Sequence, residues 1–167
     1  AFNASHDIGI KVMSDEEKIA LVDRLSKYGR VYISSEGPVP DELKDKLLKT
    51  PYHLIHHVLA FAQLVFSEGA TIASEAAVLG VHALYVNTIQ SGSTREQSER
   101  YGLLYCFHDP DERFRQAADK AVELLETPHL VEMGQAKRRK LLEEKVDING
   151  YFMQEMERLV KVGRKGK

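Results

Sequence analysis

The sequence has few of the residues that define several common protein classes. Its 167 residues include a single cysteine, Cys106, so neither an internal disulfide nor a cysteine-rich zinc site can form within the chain. No apolar run reaches the roughly 20 residues that a membrane-spanning helix requires, and we expect neither a membrane span nor a secretory leader. The net charge of -2 excludes a strongly basic nucleic-acid-binding domain. These absences predict a cytoplasmic globular domain.

What the sequence does contain is an alternation of short β-branched or apolar runs with helical periodicity. Strands are predicted at residues 31–33, 64–66, 83–86 and 103–107, with a brief extended piece at 53–55. Helices are predicted at residues 14–28, 40–48, 56–63, 71–79, 109–126 and 128–162, the last broken around 147–150. Residues 87–98 are predicted to be a polar loop.

This alternation is typical of right-handed βαβ units, which form a parallel sheet covered by helices on both faces. We therefore predict an α/β fold, a Rossmann-like three-layer domain with extra C-terminal helices. Residues 1–127 would form this domain, and residues 128–167 would be a helical extension packing on it. Because the chain starts without methionine on what resembles the end of a strand, we expect it to be part of a longer protein.

The turn after the second predicted strand has the most informative chemistry. Gly69 and Ala70 remove side-chain bulk where a ligand would approach the backbone, and Thr71 opens a helix whose first N–H groups favour phosphate. Glu75 lies one turn further on the same face, where a carboxylate could accept hydrogen bonds from a ribose. Many turns between a strand and a helix contain glycine and a cap without binding anything, so this spacing also fits a purely structural turn.

The run from Ser67 to Gly80, followed by Ala83 to Val86, resembles the nucleotide-sugar signature in the C-terminal half of GT-B proteins. It is similar to the glycosyltransferase that makes lipid II and to the UDP-N-acetylglucosamine 2-epimerases. It is more similar to domain-of-unknown-function family 354. The resemblance implies that Gly69, Ala70 and Thr71 meet a diphosphate and that Glu75 binds the ribose hydroxyls.

Further roles follow from the same resemblance. Ile55 and His56 match the position that holds the uracil, while Glu96 and Gln97 match polar residues that contact the sugar. His6 corresponds to an epimerase histidine near the diphosphate and is the catalytic candidate, although Asp7 replaces the arginine that follows in that family. No cofactor and no metal is implied, since adjacent histidines on a helix point in different directions.

These observations predict the nucleotide-sugar-binding half of a GT-B-like glycosyltransferase or sugar epimerase, which alone would bind without turning over. Its expected partners are a nucleoside diphosphate-sugar and an N-terminal domain of the same chain, with a homodimer left open. A non-catalytic interaction or regulatory module on the same fold is the alternative. A dinucleotide oxidoreductase is disfavoured, because no Gly-x-Gly-x-x-Gly follows any predicted strand.

Overall fold

The centre of the molecule is a parallel sheet of three strands in the order β1-β2-β3. The computed structural model describes residues 12–165, and for residues 162–165 it describes the backbone alone. The strands are β1 (Leu64–Ser67), β2 (His82–Val86) and β3 (Leu104–Phe107). β1 and β2 pair with Val65 opposite Ala83, and β2 and β3 pair with Leu84 opposite Tyr105. All three strands therefore end at the same edge of the sheet.

Seven α-helices surround or extend this sheet in the described residues. They are α1 (Asp15–Leu25), α2 (Ile55–Ala60), α3 (Ala70–Val78), α4 (Gly92–Glu99), α5 (Arg113–Glu126), α6 (Leu130–Glu144) and α7 (Ile148–Lys165). The start of α1 is a capping box formed by Ser14 and Glu17. The Glu17 main-chain N–H donates to the Ser14 hydroxyl at 3.2 Å, and the Ser14 N–H donates to the Glu17 carboxylate at 2.8 Å.

Apolar side chains bury both faces of the sheet and make three layers. On one face, Leu84 and Val86 of β2 pack with residues of α1 and α5, including Val22 and Ala117. On the other face, Ala83 and Tyr85 pack with the small residues of α3. Alanines at 73, 76 and 77 are fully buried there, which allows α3 to lie close to the sheet. The predicted Rossmann-like α/β architecture is confirmed.

The structure differs from the predicted elements in the regions flanking the sheet. Residues 31–33 form only an isolated parallel bridge, between Ile33 and Leu47, and residues 41–46 form a 3-10 helix rather than an α-helix. Residues 52–54 form a 3-10 turn in place of the predicted extended piece, because the Leu54 N–H donates to the carbonyl of Pro51 at 2.9 Å and closes the turn.

The predicted polar loop at residues 87–98 was wrong in its second half, which forms α4. The serines and glycine at 91–93 favour a turn, but they are followed by the helix-forming run Arg95-Glu96-Gln97. Residues 91–93 therefore stand at the cap and first turn of α4 and do not continue the loop. Buried Thr94 donates its hydroxyl to the Ser91 carbonyl at 2.9 Å and so stabilises the first turn.

The helix α6 packs across the end of α3 at two glycines. Gly134 of α6 is buried, and a Cβ placed on it would lie 2.2 Å from the carbonyl oxygen of Gly80. Gly80 ends α3 with a positive φ of 84°, a conformation that favours glycine. The Gln135 amide and the Arg138 guanidinium donate to the carbonyls of Leu79 and Val78 at 3.1 and 3.0 Å. The last carbonyls of α3 are thus capped by side chains of α6.

Within residues 12–165, no helix combines the length and the apolar character needed to cross a membrane.

Candidate functional site

The turn between β1 and α3 is shaped by Ser67, the last residue of β1. Its buried hydroxyl donates to the carbonyl of Gly69 at 2.9 Å and accepts the Gly69 N–H at 3.1 Å. These two short-range bonds close a compact turn and direct the chain into α3 at the carboxyl end of the strand. In open parallel sheets, ligands bind at this edge.

The N-terminus of α3 is open. Gly69 occupies the cap position, and no side chain bonds the end of the helix. In the described part of the chain, no acceptor bonds the N–H groups of Ala70, Thr71 or Ile72. Thr71 is exposed and Gly69 is partly exposed. These N–H groups and the positive end of the helix dipole make this corner suitable for an anion.

Glu75 lies one turn along α3 and meets a residue of α2. Its carboxylate is 3.3 Å from His56 Nε2, and the side chains of Glu75 and His56 are 34% and 58% exposed. The carboxylate is therefore at the surface, and its contact with His56 is open to solvent. Ile55 precedes His56 at the start of α2 and is partly buried. The structure thus brings Thr71, Glu75 and His56 to one side of α3.

Glu68 follows β1 but turns away from the helix terminus. Only 3% of its surface is exposed, and its Oε1 accepts the Met13 N–H at 2.8 Å. Glu68 thus ties the chain before α1 to the carboxyl end of β1.

Asn87 connects the three loops at this edge and was not predicted as a site residue. Its amide donates to the Glu68 carbonyl at 3.0 Å, and its Oδ1 accepts the Ile89 N–H at 3.1 Å. The carbonyl of Asn87 is 2.5 Å from His108 Nδ1, so Nδ1 carries the proton and donates. A signal in the sequence was available, because each strand ends in or is followed by one polar residue: Ser67, Asn87 and His108.

We expect Asn87→Ala to lower the free energy of unfolding by about 2 kcal/mol, because it leaves the buried Glu68 carbonyl without this donor. Urea denaturation followed by circular dichroism measures the change. Asn149→Ala is the matched control, since Asn149 is exposed in the first turn of α7, and it should change stability by less than about 0.5 kcal/mol. Equal effects of the two substitutions would contradict the role given to Asn87.

The remaining predicted site residues are held in other contacts or fall outside the described residues. Gln97 is buried in α4 and donates to the Ser74 carbonyl at 3.4 Å. Glu96 is bonded by Lys145 at 2.7 Å, and this contact lowers the pKa of the Glu96 carboxyl. His6, the catalytic candidate, lies outside the described residues. The roles of these three residues stay predictions.

Two further features bear on what this region could bind. Among residues 12–165, no group of three or more His, Cys, Asp and Glu side chains is arranged to hold a metal ion. An apolar groove of about 470 Å³ runs beside β1, between α1 and α2. It includes Ile55 and Ile72 but not Thr71 or Glu75, so it is distinct from the open end of α3.

Comparison with known proteins supports the fold. No protein-family profile matches the chain, and no curated protein matches its sequence. Among solved structures, the glycotransferase of kitacinnamycin is similar, with a TM-score of 0.53 and 16% identity. The match covers 84% of this chain and 37% of that one. The chain therefore spans little more than a third of the length of a glycosyltransferase whose Rossmann-like fold it shares.

Proposed function

We propose that this chain is the nucleotide-sugar-binding half of a GT-B-like enzyme, a glycosyltransferase or a sugar epimerase. The observation that carries the proposal is the open N-terminus of α3 at the carboxyl edge of a parallel sheet, with Glu75 one turn away. The fold shared with a glycosyltransferase agrees with this assignment. The ligand would be UDP-sugar or a similar nucleoside diphosphate-sugar.

In this proposal, the diphosphate lies against the first N–H groups of α3. Gly69 and Ala70 present no bulky side chain, so phosphate oxygens can approach the main chain closely. The exposed Thr71 hydroxyl adds a donor. Charge develops on a diphosphate as it leaves the sugar, and fixed N–H dipoles stabilise that charge without a metal.

The ribose would be bound by Glu75. A carboxylate accepts two hydrogen bonds from neighbouring hydroxyls, and these charge-assisted bonds are stronger than neutral ones. Because His56 and Glu75 are both partly exposed, their contact contributes little and can be exchanged for a ligand hydroxyl. Ile55 and His56 then border the space where the base would lie. An acceptor and a catalytic base would come from another domain, as cleft closure assembles the complete site.

The test is titration of the chain with UDP and with uridine, followed by calorimetry or NMR. We expect UDP to bind at millimolar concentration or below and uridine to bind more weakly, because uridine lacks the diphosphate. Glu75→Gln should weaken UDP binding about tenfold or more, the loss expected for a charge-assisted hydrogen bond.

Glu143→Gln is the matched control for this experiment. Glu143 is an exposed glutamate of α6, and its substitution should leave UDP affinity unchanged. Absence of UDP binding by the unmodified chain at millimolar concentration would contradict the proposal, and so would equal affinities of Glu75→Gln and Glu143→Gln.

A second candidate, a non-catalytic interaction or regulatory module, is favoured by one observation. Glu75, the residue that would bind ribose, already has a cationic partner when His56 is protonated. The variant His56→Gln removes the cationic partner of the Glu75 carboxylate. If UDP bound neither to the unmodified chain nor to this variant, the interaction or regulatory module would become the better interpretation.

A further inference from the structure

The apolar groove beside β1 lies in the layer of the sheet, between the helices that cover its two faces. Helices α1 and α5 line the groove from one face and helices α2 and α3 from the other, with the side chains Val22, Leu25, Leu125, Leu59 and Ile72. The outer edge of β1 forms one side of the groove. The two helix layers thus extend past β1 and enclose a space that continues the sheet.

The side of the groove opposite β1 is a second extended segment, residues 31–34. The Ile33 N–H donates to the Lys46 carbonyl at 2.9 Å, and the Ile33 carbonyl accepts the Leu48 N–H at 2.8 Å. Neighbouring residues of an extended chain direct their main-chain groups to opposite edges. Tyr32 and Ser34, which line the groove, therefore direct theirs away from residues 46–48. No described residue bonds the main chain of either one.

The strand β1 presents a matching edge to the groove. The Ala83 N–H donates to the Leu103 carbonyl at 2.9 Å, so Ala83 faces β3 and its neighbour His82 faces β1. In a parallel pair, the residue opposite one that faces the partner strand directs its own main-chain groups outward. Leu64 is opposite His82, so its main-chain groups point to the groove. Outside the sheet, no described residue bonds them.

A β-strand is the occupant that fits these two edges. Main-chain groups that border an apolar groove need hydrogen-bond partners once the groove is filled. An extended chain supplies such partners on both of its edges, at the spacing of about 4.8 Å between neighbouring strands. A hydrocarbon chain would fill the groove but leave these groups without partners. A helix bonds its own main chain and would also leave them unpaired.

The chain that enters α1 passes the carboxyl end of this groove. Met13 is 3% exposed, and its N–H donates to the Glu68 carboxylate at 2.8 Å, just beyond the end of β1. A strand that lies in the groove parallel to β1 ends at this same edge. It can therefore continue into α1, which covers one face of the sheet as the helix of a βα unit does. This position favours a strand of the same polypeptide over a strand of another molecule.

We propose that the groove receives an additional parallel strand, which the same polypeptide supplies ahead of α1. The strand is apolar and about four residues long, as β1 is. It pairs with Leu64 on one edge and with Tyr32 and Ser34 on the other, and so joins residues 31–34 to the three-stranded sheet. The groove is distinct from the open end of α3, so this inference does not depend on the proposed nucleotide-sugar binding.

The test is an N-terminal extension, Val-Ile-Val-Ile, placed directly before Ala1. Ala1 and Phe2 lie outside the described residues, and the sequence predicts that they are the end of a strand. We expect the extension to slow hydrogen exchange of the Leu64 N–H about tenfold or more, measured by NMR, because this group gains an acceptor. The temperature of unfolding should rise as well.

The matched control is the extension Val-Pro-Val-Pro, which is also apolar but cannot donate main-chain hydrogen bonds at its prolines. It should leave exchange of the Leu64 N–H as it is in the unextended chain. Unchanged exchange with Val-Ile-Val-Ile, or equal protection by the two extensions, would overturn the proposal. Dodecanoate that bound the Val-Ile-Val-Ile chain as tightly as the unextended chain would also overturn it, and would assign the groove to a hydrocarbon ligand.

Discussion

Replacing Gly134 by alanine should lower the free energy of unfolding by about 3 kcal/mol, one of the largest effects expected of a single methyl group in this chain. The new Cβ would lie 2.2 Å from the Gly80 oxygen and 3.4 Å from Cδ2 of His82. The first of these neighbours is backbone and cannot move as a side chain does. Gly80 is held by hydrogen bonds from its own N–H to Ala77 and from the Val81 N–H to Ala76, both near 3 Å.

The helix α6 must therefore shift away from α3. That shift would expose Leu130 and Leu141, which are 2% and 4% exposed, and would break the bonds from Gln135 and Arg138 to the end of α3. The loss should appear as a lower urea midpoint with an unchanged slope, since the change is in stability rather than in the compactness of either state.

Gly92→Ala provides the control. Gly92 begins α4, is exposed, and has no atom within 4 Å of an added Cβ. Alanine there should change stability by less than about 0.5 kcal/mol or raise it slightly, because alanine restricts the unfolded chain. If Gly134→Ala and Gly92→Ala gave the same urea midpoint, the close approach of α6 and α3 would not be correct.

Acidification should destabilise the fold through His82. This histidine begins β2 and is 1% exposed, and the imidazole stacks on Tyr105 with ring centroids 5.9 Å apart. Burial, together with the positive charges of Lys137 and Lys120, lowers the pKa of His82 from 6.5 to about 4. No described residue forms a hydrogen bond with its Nε2. The folded chain therefore keeps this imidazole neutral.

The direction of the pH effect follows from the lowered pKa. Between pH 6.5 and 4, the unfolded chain binds a proton at this position that the folded chain does not, so stability falls as pH falls through this window. The contribution of His82 is constant above pH 6.5, and at pH 4 the loss amounts to about 3 kcal/mol. Urea denaturation at half-unit steps from pH 7 to pH 4 measures it.

His82→Leu should remove the part of the pH dependence that His82 causes, although the variant is less stable at neutral pH because Tyr105 loses its stacking partner. His53→Gln is the control, because it also removes one imidazole, but from an exposed position. An unchanged pH slope in His82→Leu would contradict the assignment, as would an equal loss of slope in His53→Gln.

The sheet was predictable because its strands are short apolar runs bounded by turn residues. β1 and β2 contain runs such as Leu64-Val65-Phe66, which are typical of the strands of a parallel sheet covered by helices. The capping box of α1 and the start of α3 were likewise local signals. The segment between α1 and α2 was not predictable, since residues 31–33 have β-branched and aromatic side chains but form a single bridge with Leu47. Strand pairing depends on partners distant in sequence, which local propensity does not include.

The local geometry of the candidate site was predictable where it depends on consecutive residues, but not where it depends on tertiary contacts. Residues 69–75 follow one another along the chain, so their spacing alone places Thr71 and Glu75 on one side of α3. Asn87 belongs to the same edge only because β2 lies beside β1, a relation that the sequence around Asn87 does not contain. The sequence analysis gave His56 and Glu75 separate roles, but it did not predict that the two side chains would be in contact.

The capping of α3 by α6 means that the two ends of one short helix are in different situations. Its C-terminal end accepts hydrogen bonds from residues 135 and 138 of α6, while no described acceptor bonds the first N–H groups at its N-terminal end. Coupling free energies are reciprocal. A molecule that bound more tightly at the N-terminus of α3 when α6 is packed on its C-terminus would therefore stabilise that packing by the same factor. In that case α6 would be thermodynamically coupled to the proposed binding site, although it contacts the opposite end of α3.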